Sequence, residues 1–136
     1  MEYLYDTPAL CISYDTEQEW LYVEWKGRHD ANTALTGGEL ILRFLQDRPC
    51  RKMLNDNSEV IGDWEKSARW VGTYYYQQMA ELGVQYVAWV CPPNWPARKS
   101  MEAAMQFISQ PMVAVFDELA SGYAWLVRQV ILPPQV

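Results

Sequence analysis

A chain of 136 residues, half of them apolar and 21% charged, has the length and composition of one domain with its own core. Its formal net charge of −6, with no basic cluster beyond the pairs Arg51-Lys52 and Arg98-Lys99, excludes a protein that works through phosphate contacts to nucleic acid or an anionic membrane. No apolar run reaches the ~20 residues that stable membrane insertion needs. Cys11, Cys50 and Cys91 are odd in number and far apart, which fits neither a disulfide framework nor a zinc site. With no signal-peptide pattern in MEYLYD, a reducing cytoplasm is the expected setting.

Ala9 to Tyr14 is the first predicted strand. Asp15 to Glu19 is a polar turn, and Trp20 to Lys26 (WLYVEWK) is the return strand of a hairpin. Alternation puts Leu21, Val23 and Trp25 on one face and Trp20, Tyr22 and Glu24 on the other. Asp30 is the expected N-cap of a helix to about Asp47, buried along Ala34, Leu35, Gly38, Ile41, Leu42 and Leu45. Gly37-Gly38 weakens that helix by roughly 1 kcal/mol per residue, a cost that a close approach of helix to sheet would explain. Arg48-Pro49 ends it.

Lys52 to Leu54 begins a short strand, and Asn55 to Gly62 reads as a loop. Asp63 caps a second helix, about Trp64 to Leu82, with Trp64, Ala68, Val71, Tyr75, Met79 and Leu82 inward. Gly83 stops it from the C′ position. Gln85 to Val90 is a near-continuous apolar strand, as expected at the centre of a sheet. Cys91 to Pro96 is a rigid Pro-rich loop. Arg98 to Ile108 is a third helix with Met101, Ala104, Met105 and Ile108 inward, and Met112 to Phe116 is the last strand. Asp117 should cap a final helix with Ala120, Tyr123, Ala124 and Val127 inward, leaving 130–136 as a loose tail. The resulting order, β-β-α-β-α-β-α-β-α, predicts a single α/β domain with its core in 9–129. About five strands form a mixed, mostly parallel sheet with the hairpin at its edge, packed with about four helices.

Four segments carry a family likeness: WLYVEWKG, KMLNDNSEVIGDW, ELGVQYVAWV and MVAVFDELASGYAWL. Together they resemble the STAS domain of the SpoIIAA-like group over about residues 9 to 129, and in particular small stand-alone bacterial STAS or CRAL-TRIO-type proteins. The resemblance implies that fold and a cytoplasmic regulatory role. In the family an Asp-Ser pair opening the second helix carries a regulatory phosphoserine that controls docking to a kinase. Asp63 matches the Asp, but Trp64 stands where the acceptor Ser would be, so the usual switch is not expected.

Among candidate sites, the stretch Asn55 to Asp63 is acidic and amide-rich. Calcium-loop spacing fails there because Val60 occupies the position that needs Gly, so it reads as turn chemistry. His29 reads as a solvated loop histidine, and no nucleophile elbow such as G-x-S-x-G is present. Cys91, at the end of a central strand with no neighbouring cation, reads as a buried inert thiol. Trp70 and Tyr74, four residues apart, form a second aromatic face on their helix, which usually marks a contact. The leading expectation is therefore a non-enzymatic interaction module without metal or cofactor. Trp70 and Tyr74, with Asn57, Ser58, Asp63, Trp64 and Trp95, would dock a protein partner or a second copy in a homodimer. The alternative is a binding protein for a small apolar or lipid-like ligand, decided by whether Trp64, Tyr75, Met101 and Met105 fill the core or line a cavity.

Overall fold

The strand alternation read from the hairpin is realised in the computed structural model, which describes residues 1–133. Strands β2 (Leu10–Asp15) and β3 (Trp20–Arg28) pair antiparallel, Ile12 opposite Val23. Leu21, Val23 and Trp25 face one side of the sheet, and Trp20 and Tyr22 the other. A further strand, β1 (Glu2–Asp6), adds to the outer edge of β2 and makes the sheet six-stranded rather than five-stranded. Its exposed, mixed residues give little burial signal, and pairing with β2 is what makes it a strand.

From β3 onward the sheet is parallel. Strands β4 (Lys52–Ile61), β5 (Tyr86–Val90) and β6 (Met112–Phe116) follow in sequential order, so the fold is α/β with a mixed, mostly parallel sheet. Helix α1 (Ala31–Asp47) starts as expected: Asp30 accepts from Thr33 N, and the Thr33 hydroxyl accepts from Asp30 N. Its glycines admit aromatic rings rather than sheet backbone. A Cβ on Gly37 would fall 2.4 Å from the Trp25 ring, and one on Gly38 would fall 2.9 Å from the Trp70 ring.

The second helical segment is composite. A 3-10 turn (Glu65–Ser67) leads into α2 (Ala68–Trp70), a π-helical turn (Val71–Tyr75) and α3 (Tyr76–Glu81). Its predicted stripe is buried from Trp64 through Met79, with Leu82 half-buried, and Gly83 terminates it at φ +108°. Helix α4 (Trp95–Met105) begins earlier than expected. Asn94 caps it, and Trp95 and Pro96 lie in its first turn, where proline's missing N–H costs nothing. These helical segments and α1 cover one face of the sheet, whereas α5 (Leu119–Arg128) covers the other, over Trp20, Leu54, Ala88 and Val90.

Three local readings change. First, Asn55 to Ile61 is strand, not loop, because β4 runs on beside β3 as far as Arg28 opposite Ile61. Asn and Asp disfavour strands by bonding nearby backbone. Here Asn55 instead bonds Trp25 Nε1 and Tyr76, and Asp56 accepts from the Tyr22 hydroxyl across the sheet. Second, α5 buries Gly122 and Leu126, with Trp125 half-buried, leaving Ala120, Tyr123, Ala124 and Val127 exposed. The close seat of Gly122 on Phe116, Ala88 and Val90 sets that rotation. Third, Glu118 rather than Asp117 precedes the helix, and Asp117 pairs with Arg98. Beyond α5, Gln85 exchanges hydrogen bonds with the Leu132 backbone, and the Tyr86 hydroxyl donates to Val130 O. The remainder of the predicted tail, 134–136, lies outside the described residues.

Candidate functional site

Two backbone irregularities meet under the helix-covered face of the sheet. In β4 the parallel register slips: Glu24 pairs with Asp56 but Lys26 with Glu59, so Asn57 and Ser58 together stand opposite Trp25. Ser58 N donates to Asp56 Oδ1 across this bulge. Strand alternation aims Met53, Asn55 and Asn57 toward the helices, and the bulge begins at Asn57. Facing it, the π turn brings in Val71 and Tyr75. Bulges and π turns each add a residue to a regular element and recur beside functional sites.

Between them lies a cavity of about 40 Å³. Asn55 and Asn57 contribute from β4, Trp25 from β3, Trp89 from β5, and Trp64, Tyr75 and Tyr76 from the helical segment. His29 and Ala34 close it near the start of α1. It lies toward the carboxyl ends of the parallel strands, the usual ligand position in open α/β sheets.

The polar groups of the lining divide into two sets. The first is internally bonded: Trp25 Nε1 donates to Asn55 Oδ1 at 3.1 Å, and Asn55 Nδ2 donates to the Tyr76 hydroxyl at 3.2 Å. The second set has no protein partner. Four buried side-chain polar atoms lack a hydrogen bond among the described residues, and three of them belong to this cavity: Asn57 Oδ1, Tyr75 OH and Trp89 Nε1. Their residues are 5%, 4% and 2% exposed, so bulk solvent does not serve them. An unpaired buried polar group costs about 1–3 kcal/mol. Three such atoms belong to residues that line this one cavity. Burial drives the pKa of Tyr75 and Tyr76 far upward, so both phenols keep their protons. Among the described residues no Lys, Arg, Asp or Glu lines the cavity.

His29 is buried, not solvated. Its Nε2 lies 3.1 Å from Lys26 O and 3.2 Å from Ala9 O, and its Nδ1 lies 3.0 Å from Thr33 Oγ1. Both ring nitrogens are thus engaged in tying β3 to β2 and to the first turn of α1, and the ring stands edge-on to Trp25. Cys91 is buried, and burial raises its thiol pKa. Met101 is core and Met105 borders it, and neither reaches the cavity.

The expected interaction residues fall into three places. Asn57 and Trp64 line the cavity. Asp63 is exposed beside it, its carboxylate accepting from Glu65 N and the Ser100 hydroxyl, while Ser100 Oγ also accepts from Trp64 N. Ser58 sits in the bulge. Trp70 is half-buried, stacked on Tyr75 with centroids 5.9 Å apart, and Tyr74 leans on its other side at 5.6 Å. Tyr74 itself is 47% exposed, and Trp95, at the start of α4, is 69% exposed. Trp25, Tyr76 and Trp89 complete the site without having been singled out, together with Asn55, whose sequence context reads as turn chemistry. Their signal was the strand period: Asn55 and Asn57 share a face with Met53 on a strand that is otherwise core.

Among the described residues no group of three or more His, Cys, Asp or Glu side chains is placed to hold a metal ion, and no helix is long and apolar enough to cross a membrane. No model of a known protein family matches the chain, and none of the curated proteins does.

Proposed function

We propose that this protein is a non-catalytic, STAS-like binding module that takes a small ligand in the aromatic cavity beneath the carboxyl ends of its parallel strands. One observation carries the reading: Asn57 Oδ1, Tyr75 OH and Trp89 Nε1, all buried and all without a partner among the described residues, belong to side chains that line one cavity. Ligand sites combine an aromatic or apolar wall with a few placed polar groups, and this lining has that composition. The volume and the polar atoms favour a compact molecule with a polar edge over an acyl chain. Three buried free thiols suit action in a reducing compartment.

The test is a gently sprayed native mass spectrum of freshly purified protein. The expected result is an added mass that disappears on denaturation, and whose addition back quenches tryptophan emission. A bare mass, together with unchanged emission on titration with a metabolite extract, would remove the reading.

A second reading keeps one observation of its own. Exposed Tyr74, backed by the Trp70 stack, stands beside a groove between α1 and α3 that Arg43 and Gln78 also line. This is a surface on which a protein partner or a second copy could dock. Trp70 packs on Gly38 and Tyr75, so its removal would disturb the core. Tyr74→Ala is the clean probe. Sedimentation velocity should show a wild-type dimer that this substitution dissociates, and an unaffected dimer would exclude Tyr74 as its anchor.

A further inference from the structure

The three unpartnered atoms do more than mark a site, because their donor and acceptor characters restrict what can fill it. Trp89 Nε1–H can only donate. Asn57 Oδ1 can only accept. The Tyr75 hydroxyl, kept protonated by its burial, can do either. A ligand that leaves none of them unpaired must therefore present at least one acceptor and one donor. Charge narrows the choice further. An anion would enter a lining that holds no Lys or Arg, with Asn57 Oδ1 facing it. A cation would find ring faces and Asn57 Oδ1 but would set its charge against the Trp89 N–H dipole. Burying an ion without a counter-charge is far costlier than burying a neutral hydrogen-bonding group.

We infer that the cavity takes the amide-type edge of a small neutral molecule, with its carbonyl accepting from Trp89 Nε1 and Tyr75 OH and its N–H donating to Asn57 Oδ1. The class comprises carboxamides, lactams and the –CO–NH– edge of a heterocycle. The inference rests on the small-ligand reading of the same cavity.

The volume agrees with an edge rather than a whole molecule. About 40 Å³ holds about three or four water-sized groups at roughly 10–15 Å³ each, room for a carboxamide head. The rest of the ligand has a place to go. Trp25 and His29 line this cavity and also a surface groove of about 330 Å³ bounded by Tyr5, Leu10 and Leu40. The Trp25 ring, which lies against Gly37, is thus common to both linings.

Three near-isosteric probes that differ in charge test the class: benzamide, benzoate and benzamidinium. Each is titrated into uniformly ¹⁵N-labelled protein while the indole N–H signals of the seven tryptophans are followed, that of Trp89 being assigned with Trp89→Phe. Benzamide should shift the Trp89 indole signal saturably, and the two ions should not at equal concentration. Tyr75→Phe and Asn57→Leu should each weaken benzamide by about tenfold, the worth of one neutral hydrogen bond. Tyr75→Phe removes a single atom, so a lost response there does not reflect a lost fold.

If benzoate or benzamidinium moves the Trp89 signal as strongly as benzamide does, the amide inference is overturned while the small-ligand reading stands. If no probe moves it, and only water shows exchange cross-peaks to the Trp89 N–H, then the cavity is a hydration site and both fall.

Discussion

Tyr75 carries a buried hydroxyl with no partner among the described residues, so at this residue stability and binding are expected to oppose each other. Replacing it by phenylalanine keeps the ring stacks with Trp70 and Tyr76 and removes only the unpaired oxygen. Tyr75→Phe should therefore raise the unfolding free energy by about 1 kcal/mol while weakening the ligand. A urea titration checks the sign, and a loss of stability would show that the hydroxyl is bonded in solution. Most tyrosine-to-phenylalanine changes at bonded hydroxyls go the other way. Asn55 supplies the contrast, since both ends of its amide are engaged by Trp25 and Tyr76. Asn55→Leu should cost about 1–3 kcal/mol by the same measurement, because it strands the indole N–H that Asn55 now accepts from. Asn55 and Asn57, two positions apart on the same face, cannot be told apart in the sequence. The partners of Asn55 come from a strand 30 positions away and a helix 21 positions away, whereas Asn57 Oδ1 has none among the described residues.

At the scale of elements, the site depends on how the π turn is seated. Gly72, inside that turn, lies so close to α4 that an added Cβ would come within 2.5 Å of Phe107 Cβ and 2.7 Å of Ala104 O. The second neighbour is backbone and cannot turn aside. Gly72→Ala should push the composite helix off α4, cost about 1–3 kcal/mol, and shift Tyr75 away from the cavity. Chemical denaturation and the benzamide titration would report the two effects separately. The glycine pair of α1 works in the same manner from the opposite wall, admitting Trp25 at Gly37 and Trp70 at Gly38. Helix α1 was legible because its cap, stripe and proline stop all agree locally. The extension of β4 was not, because local preference for Asn-Asp-Asn-Ser points to a turn and only pairing with β3 overrides it. The rotation of α5 was missed for a related reason: a helix with apolar residues on several sides is oriented by the sheet beneath it.

Across the whole molecule, buried acidic hydroxyls and thiols give stability a pH dependence of known sign. Burial pushes the Cys50 thiol up from 9.0 to about 11, and it also raises Cys11, Cys91, Tyr75 and Tyr76. Each of these groups has its folded pKa above its unfolded one. Between the two values the native state binds more protons, so the stability present below the unfolded pKa is lost as pH rises through the folded one. For Cys50 that loss is about 3 kcal/mol between pH 9 and 11. Lys52, whose pKa burial lowers, acts in the opposite direction: between its folded and ordinary values the unfolded chain binds more protons, and stability rises with pH. The difference between wild type and Cys50→Ala isolates the thiol. The urea midpoint of the variant should fall less steeply from pH 8 to pH 11, and parallel profiles would place the Cys50 thiol in contact with water.

The amino-acid sequence by itself determined the class of fold and most of its elements. Strand and helix periods, the Asp30 cap, and the Pro49 and Gly83 stops are local chemistry, and local chemistry is written along the chain. Its −6 net charge and dispersed basic residues also set the expectation that phosphate contacts are not how the protein works. The site was decided by the tertiary structure. Pairing with β3 makes Asn55 to Ile61 a strand whose period turns Asn57 inward, a π turn seated on α4 presents Tyr75, and β5 brings Trp89 to the same cavity. Whether a buried polar atom has a partner depends on which atoms lie around it in space, and residues 57, 75 and 89 meet only when the sheet and its helices have closed over them.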